Sequence, residues 1–139
     1  MKAVSYGGSY AECSVSQSDI GKYRGFKAAV LCNQSTASAA ELFAASFRDY
    51  GLGTLVGETT FGKGCMQTTF SLEPYYGGAL KLTTAMYYPP LGDDYHGKGV
   101  VPDVLEPLDE EAAKKNVYLL SDEEDNQLQK ALELFSANK

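Results

Sequence analysis

Two side chains of this sequence combine a reactive type with an unusual setting, Ser38 and Lys63. Ser38 stands in CNQSTASAAE, where an apolar run ends and a helical pattern begins. A hydroxyl at such a junction is placed to attack a carbonyl. The next amide, Ala39 N–H, opens the helix and faces any oxyanion that forms, with the helix dipole in support. The same residues also have a plain structural use. Ser38-Ala39-Ala40-Glu41 is a capping box, in which the serine only caps its helix, worth about 1 kcal/mol. Ser35 and Thr36 are competing hydroxyls. Local spacing leaves nucleophile and cap both open.

Lys63 lies in GETTFGKG, Gly57 to Gly64, which has the Gly-x4-Gly-Lys spacing of a phosphate-binding loop. Two features argue against that use. Gly64 stands where a Ser or Thr should hold magnesium, and the following CMQTTFSL alternates like a strand, so no helix N-terminus faces a phosphate. What remains is a lysine between two glycines. It is either a solvated loop residue or a side chain aimed inward by a tight bend that only glycine permits. His96, the single histidine, lies in a Gly/Asp-rich loop with nothing to tie it to Ser38, and it reads as a surface residue. A serine without a histidine base needs another, and a lysine serves where burial favours its neutral form.

The elements that must position these residues follow from periodicity. Phe26 to Cys32 is a short apolar run typical of a buried parallel strand. Ala39 to Tyr50 predicts a helix with Ala39, Leu42, Phe43, Phe47 and Tyr50 on its apolar face and Glu41, Arg48 and Asp49 off it. Gly51 ends that helix, and Gly53 to Gly57 is the next strand. Strand, helix, strand makes a right-handed βαβ unit. Met66 to Leu72 and Ala79 to Met86 then alternate around EPYYGG, the pattern of an antiparallel hairpin. A short strand is expected near Val100 and a short helix from Asp109 to Tyr118. Ser121 and Glu124 form a second capping-box signature ahead of a stripe of Leu128, Ala131, Leu132 and Phe135.

The chain has 139 residues, 44% hydrophobic and 22% charged, enough for one domain with a core. Its formal charge of −6 argues against nucleic acid or an anionic membrane as main partner. Residues 1–102 carry eight basic and eight acidic side chains; the remainder carries four against ten, so the whole excess lies in the last quarter. Cys13, Cys32 and Cys65 show neither a disulfide framework nor a metal-ligand spacing. No apolar run is long enough to span a membrane, and the first residues do not read as a signal peptide.

The segments VLCNQSTASAAELFAASFRDYG, LVGETTFGKGCMQTTFSL, LKLTTAMYYPP and HGKGVVPDV, in that order from residue 28 to about 104, resemble the carboxyl-terminal processing proteases. These are also called tail-specific proteases and are relatives of the tricorn peptidases. The resemblance implies a Ser-Lys dyad. The family's nucleophile is the serine three residues before a Glu, which is Ser38 ahead of Glu41; Thr36 and Ala40 replace the flanking family serines. The lysine of the Thr-Phe-Gly-Lys-Gly run, Lys63, becomes the general base, and Gln67 matches a residue that orients it in several members. His96 falls where the family often has Gln, in keeping with a noncatalytic role.

The resemblance further implies an α/β spiral core of the ClpP/crotonase type with a βαβ unit, an antiparallel hairpin and a C-terminal helix. Acyl transfer on polypeptides near their C-termini is the implied reaction, with no cofactor and with Ala39 N–H as one oxyanion donor. A second donor from a Gly-rich upstream segment, a substrate-binding PDZ domain and an export signal are lacking from these residues; Gly7 and Gly8 stand in no apolar strand context. The chain therefore reads as the C-terminal part of a protease core. Residues 1–25 would be an upstream part of that core, 26–104 the catalytic part, and 105–139 an acidic helical segment packed beside it. The expectation is a fragment that folds with little activity alone, from a longer extracytoplasmic protein. The alternative is a noncatalytic peptide-binding or scaffold relative with the same fold.

Overall fold

The computed structural model describes residues 2–5, 10–11, 25–73 and 75–136. Two sheets organise them. The first is parallel, in the order β3 (Ala29–Cys32), β4 (Thr54–Gly57), β7 (Val104–Leu105). The second is antiparallel, in the order β2 (Tyr10–Ala11), β1 (Lys2–Ser5), β6 (Ala79–Tyr88), β5 (Cys65–Ser71). Helix α1 (Ala39–Asp49) crosses from β3 to β4, so the predicted βαβ unit is present. Its end is a Schellman motif: Gly51, at φ 65°, donates to Arg48 O at 2.8 Å, and Leu52 N–H reaches Phe47 O at 3.0 Å. The hairpin β5–β6 also forms as its alternation predicts, with Thr68 and Thr84 hydroxyls 2.8 Å apart across it.

The helix face differs from the prediction. Glu41, Leu42, Ala44 and Ala45 are buried, while Ala39, Phe43 and Tyr50 are exposed, Phe43 at 58%. The small residues Ala44 and Ala45 let the helix lie close to Leu55 and Val100, and a satisfied carboxylate replaces the aromatic residue that hydrophobicity alone would choose. Cys32, Leu42, Ala44, Ala45, Leu55, Tyr95 and Val100 make the core, with Val30, Phe47 and Tyr87 against it. The strand expected from Phe26 is β3, which begins at Ala29; Phe26 is largely exposed.

The carboxyl-terminal third differs in three further places. The expected strand near Val100 lies instead at Val104–Leu105, because the Val100 amide donates to the Thr60 hydroxyl at 2.7 Å rather than to a ladder. The expected helix from Asp109 to Tyr118 is only α2 (Glu110–Ala113) and a 3-10 turn, Val117–Leu119. Asn116 breaks it, since its side chain accepts the Tyr118 amide at 3.0 Å and competes with the helical bond. Finally, Ser121 and Glu124 close a separate turn, and Asp125 caps α3 (Asn126–Ser136) through Leu128 N–H at 2.9 Å. Helix α3 packs on β3 and β4, and Asn126 and Gln127 hold the segment after β7 through Glu106 and Pro107. Asp125→Ala is expected to cost about 1 kcal/mol, read as a lower denaturation midpoint with an unchanged slope. Ser121→Ala should shift it far less.

Among the described residues, no helix is long and apolar enough to cross a membrane.

Candidate active site

Ser38 occupies the turn between β3 and α1 at φ 59°, ψ −118°. Among the described residues it is the one non-glycine side chain with a positive φ in the left-handed range. Such a conformation costs about 1–3 kcal/mol and persists only where surrounding structure imposes it. Here several bonds do. Thr36 N–H closes on Asn33 O at 2.8 Å, Ser35 N–H on Asn33 Oδ1 at 2.9 Å, and Phe61 N–H on Thr36 O at 3.0 Å. The Thr36 hydroxyl accepts Asn33 N–H at 3.0 Å, which engages one of the competing hydroxyls.

The strongest constraint is Glu41, whose residue is 0% exposed. Its Oε2 accepts the amides of Ser38, at 2.8 Å, and of Lys63, at 2.7 Å. Its Oε1 accepts the Gly62 amide at 2.5 Å and the Thr60 hydroxyl at 2.6 Å. One carboxylate oxygen thus holds the backbone of both candidate residues, from segments separated by a helix and a strand. The capping box predicted for Ser38 and Glu41 is present in arrangement. Its strong half is the Ser38 amide on Glu41; the Ser38 hydroxyl makes no full cap hydrogen bond. Burying an ion is tolerable only with such a complete donor set.

The segment from Glu58 to Gly64 has no regular secondary structure and leads into strand β5, with no helix behind it to receive a phosphate. Lys63 is half-buried, and its ammonium makes no hydrogen bond or ion pair among the described residues. The flanking glycines are explained by close approach. A Cβ on Gly62, at φ 92°, would stand 2.9 Å from Gly99 N, and one on Gly64 would stand 3.2 Å from the His96 side chain. The Ala39 amide, first of α1, has no acceptor among the described residues, and Ala39 is exposed. That leaves an N–H beside Ser38 open to a ligand.

Gln67 lies on β5 and is exposed, and its side chain makes no hydrogen bond among the described residues. The ladder slips by a residue between Met66 and Gln67, so Cys65 is buried while Gln67 is not. The structure does not join it to Lys63. Gly7 and Gly8 lie outside the described residues.

Sequence reasoning passed over three participants. Glu41 was read as a solvent-side helix residue, Thr60 was not singled out, and His96 was given no partner. In the structure His96 Nδ1 accepts Gly64 N–H at 3.2 Å, directly beside Lys63. The signal that could have exposed Glu41 is its capping-box spacing to Ser38, which turns its carboxylate toward the turn that carries the candidate nucleophile. Other nucleophiles fall away. Burial, with Asp103 and Glu58 adding, pushes the Cys32 thiol up, so it stays protonated. Burial, then the Glu41 charge, push the Tyr95 phenol up to about 12.

Comparison with known proteins identifies the family. The family model described as Peptidase family S41 matches residues 3–105. A carboxyl-terminal-processing protease of Picosynechococcus is 38% identical over 110 residues, 79% of this chain and 25% of that protein. One from Synechocystis is 46% identical over 81 residues, 57% of this chain and 18% of its own. This chain thus spans about a quarter or less of the length of those relatives. Among solved structures, the photosystem II D1 C-terminal processing protease is 42% identical over 57% of this chain and 20% of its own, with a TM-score of 0.52. A lipoprotein from Streptococcus agalactiae, 21% identical, matches 99% of this chain and 44% of its own in fold, with a TM-score of 0.64. The mixed α/β architecture, a parallel sheet with an antiparallel hairpin, is the one these structures share. On the extent of the family match, the chain belongs to peptidase family S41.

Proposed function

We propose that this chain carries the Ser-Lys pair of a serine endopeptidase, with Ser38 as nucleophile and Lys63 as general base. The carrying observation is the single Glu41 oxygen that accepts both amides and holds Ser38 in a strained turn. Neutral Lys63 takes the Ser38 proton as Oγ bonds to the peptide carbonyl carbon. The oxyanion is received by Ala39 N–H. The C–N bond then breaks, Lys63 returns its proton to the leaving amine, and water hydrolyses the ester. Turnover falls as pH drops, because protonated Lys63 is no base.

Gln67 is assigned the orientation of Lys63, through a rotamer change that its exposed position permits. The core is read as the ClpP/crotonase spiral. Substrates are polypeptides cut near their C-termini, the reaction named for the relatives. The second oxyanion amide, a PDZ domain and an extracytoplasmic setting are assigned to the longer protein; these 139 residues alone turn over slowly.

The test is covalent. A fluorophosphonate should form one Oγ–P bond at Ser38 with loss of fluoride, mapped by intact mass and peptide sequencing. Labelling at Ser35 or Thr36 instead sinks the assignment. A folded chain that takes no label points to the noncatalytic, peptide-binding relative.

A further inference from the structure

The three-residue segment carrying Lys63 is held from two sides. Glu41 takes the Gly62 and Lys63 amides on one side. On the other, Gly97 N–H donates to Gly62 O at 2.8 Å, Gly64 N–H donates to His96 Nδ1 at 3.2 Å, and Tyr87 N–H donates to Gly64 O at 2.8 Å. The loop carrying His96 is itself fixed. The His96 amide donates to Asp94 Oδ1 at 3.0 Å, and the Lys98 and Gly99 amides return to Tyr95 O at 3.1 and 2.9 Å. Gly99, at φ 81°, packs so near that a Cβ there would stand 2.2 Å from Thr60 O. At Gly62 and Gly99 the two loops approach too closely to admit a side chain.

Among those clamps the imidazole is distinct in chemistry. Nδ1 accepts a hydrogen bond only while it carries no proton, so the ring must be the neutral Nε2–H tautomer. We infer that His96 is a positioning residue for Lys63, a proton-sensitive clamp on the Gly64 amide that holds the lysine's backbone in register with Ser38. The inference rests on the Ser-Lys reading of the site. The titratable and charged groups on its own loop are Asp93, Asp94, Tyr95 and Lys98; those on the segments bonded to that loop are Lys63 and Cys65, beside Gly64, and Tyr87 on β6. A proton on His96 turns the acceptor into a donor facing a donor. The clamp opens, and Lys63 loses its fixed approach to Ser38.

His96→Asn keeps an acceptor at nearly the same place and removes the titration; His96→Ala removes both. The rate of Ser38 labelling by a fluorophosphonate is measured against pH for the parent and both variants, with 1H–15N spectra of the Gly64 amide. In the parent, the Gly64 amide shift should follow the His96 ring titration, and the acid limb of the rate should carry that same step. His96→Asn should stay within about threefold of the parent at pH 8 and lose both the step and the amide titration. His96→Ala should label about tenfold more slowly than the parent at pH 8 and converge on it below the His96 step, with faster exchange of the Gly64 amide. A parent-like pH profile and a parent-like amide titration in His96→Asn overturn the inference. If His96→Ala does not fold, His96→Asn alone decides. Should Lys63→Ala label as fast as the parent while the Gly64 amide still titrates with His96, the lysine reading fails and the clamp survives as structure only.

Discussion

Lys63→Ala is expected to slow fluorophosphonate labelling of Ser38, and peptide turnover with it, by about a thousandfold, the range of a lost general base. The melting temperature should move by no more than a degree or two. The contrast follows from how the residue is held. Its anchoring bond runs through the backbone amide to Glu41 Oε2, which alanine keeps, while its ammonium makes no bond among the described residues. A lysine with only a structural role would show the reverse, a stability loss with labelling intact. Ser38→Ala should abolish labelling and change stability little, because the Ser38 hydroxyl makes no full cap hydrogen bond and alanine keeps the amide on Glu41. Ser38→Gly is the sharper variant. Glycine relieves the positive φ, so this variant should be at least as stable as the parent and equally inert. A glycine variant that melts well below the parent contradicts the strain assigned to Ser38.

The second large effect belongs to Glu41. A glutamine there offers one oxygen and one NH2 where the carboxylate offers two acceptors, each receiving two donors. In one amide orientation the Ser38 and Lys63 amides meet a donor; in the other the Gly62 amide does while the Thr60 hydroxyl turns to accept, and in both the remaining bonds lose their charge, in a site closed to water. At roughly 1–3 kcal/mol for each stranded group, Glu41→Gln should cost about 3 kcal/mol or more and lower the melting temperature by about 10 °C. Labelling of Ser38 should fall at temperatures where the variant is still folded, because the lost bonds are those that fix the Ser38 and Lys63 backbones. Melting and labelling rate measured on one sample separate the two losses. If Glu41→Gln labels like the parent, the shared carboxylate is not what registers the pair.

Much of this arrangement was legible in the residues. The apolar run before CNQSTAS, the helix pattern after it and Gly51 placed Ser38 at a strand-to-helix turn. Glycines on both sides of Lys63 marked a close approach, and the hairpin showed in its alternation. What periodicity could not show was polar burial. Hydrophobic patterning assigns carboxylates to solvent, so Glu41 was set outside, and Phe43 and Tyr50 inside. Its four donors come from its own turn and from positions 60 to 63, which no local window joins. His96 escaped for the same reason, since its partner Gly64 lies 32 positions away. Asp125 lost to Ser121 because both are good caps, and only the packing of α3 on β3 and β4 decides which turn continues as helix.

The Glu41 junction also sets a timetable. Its donors become neighbours only after α1 has packed, β4 has paired with β3, and the loop beyond β4 has folded back, a set of non-local contacts made late on a folding route. A nascent or half-folded chain therefore has Ser38 and Lys63 but no register between them. Under the Ser-Lys reading proposed above, the pair is assembled only as the fold is completed.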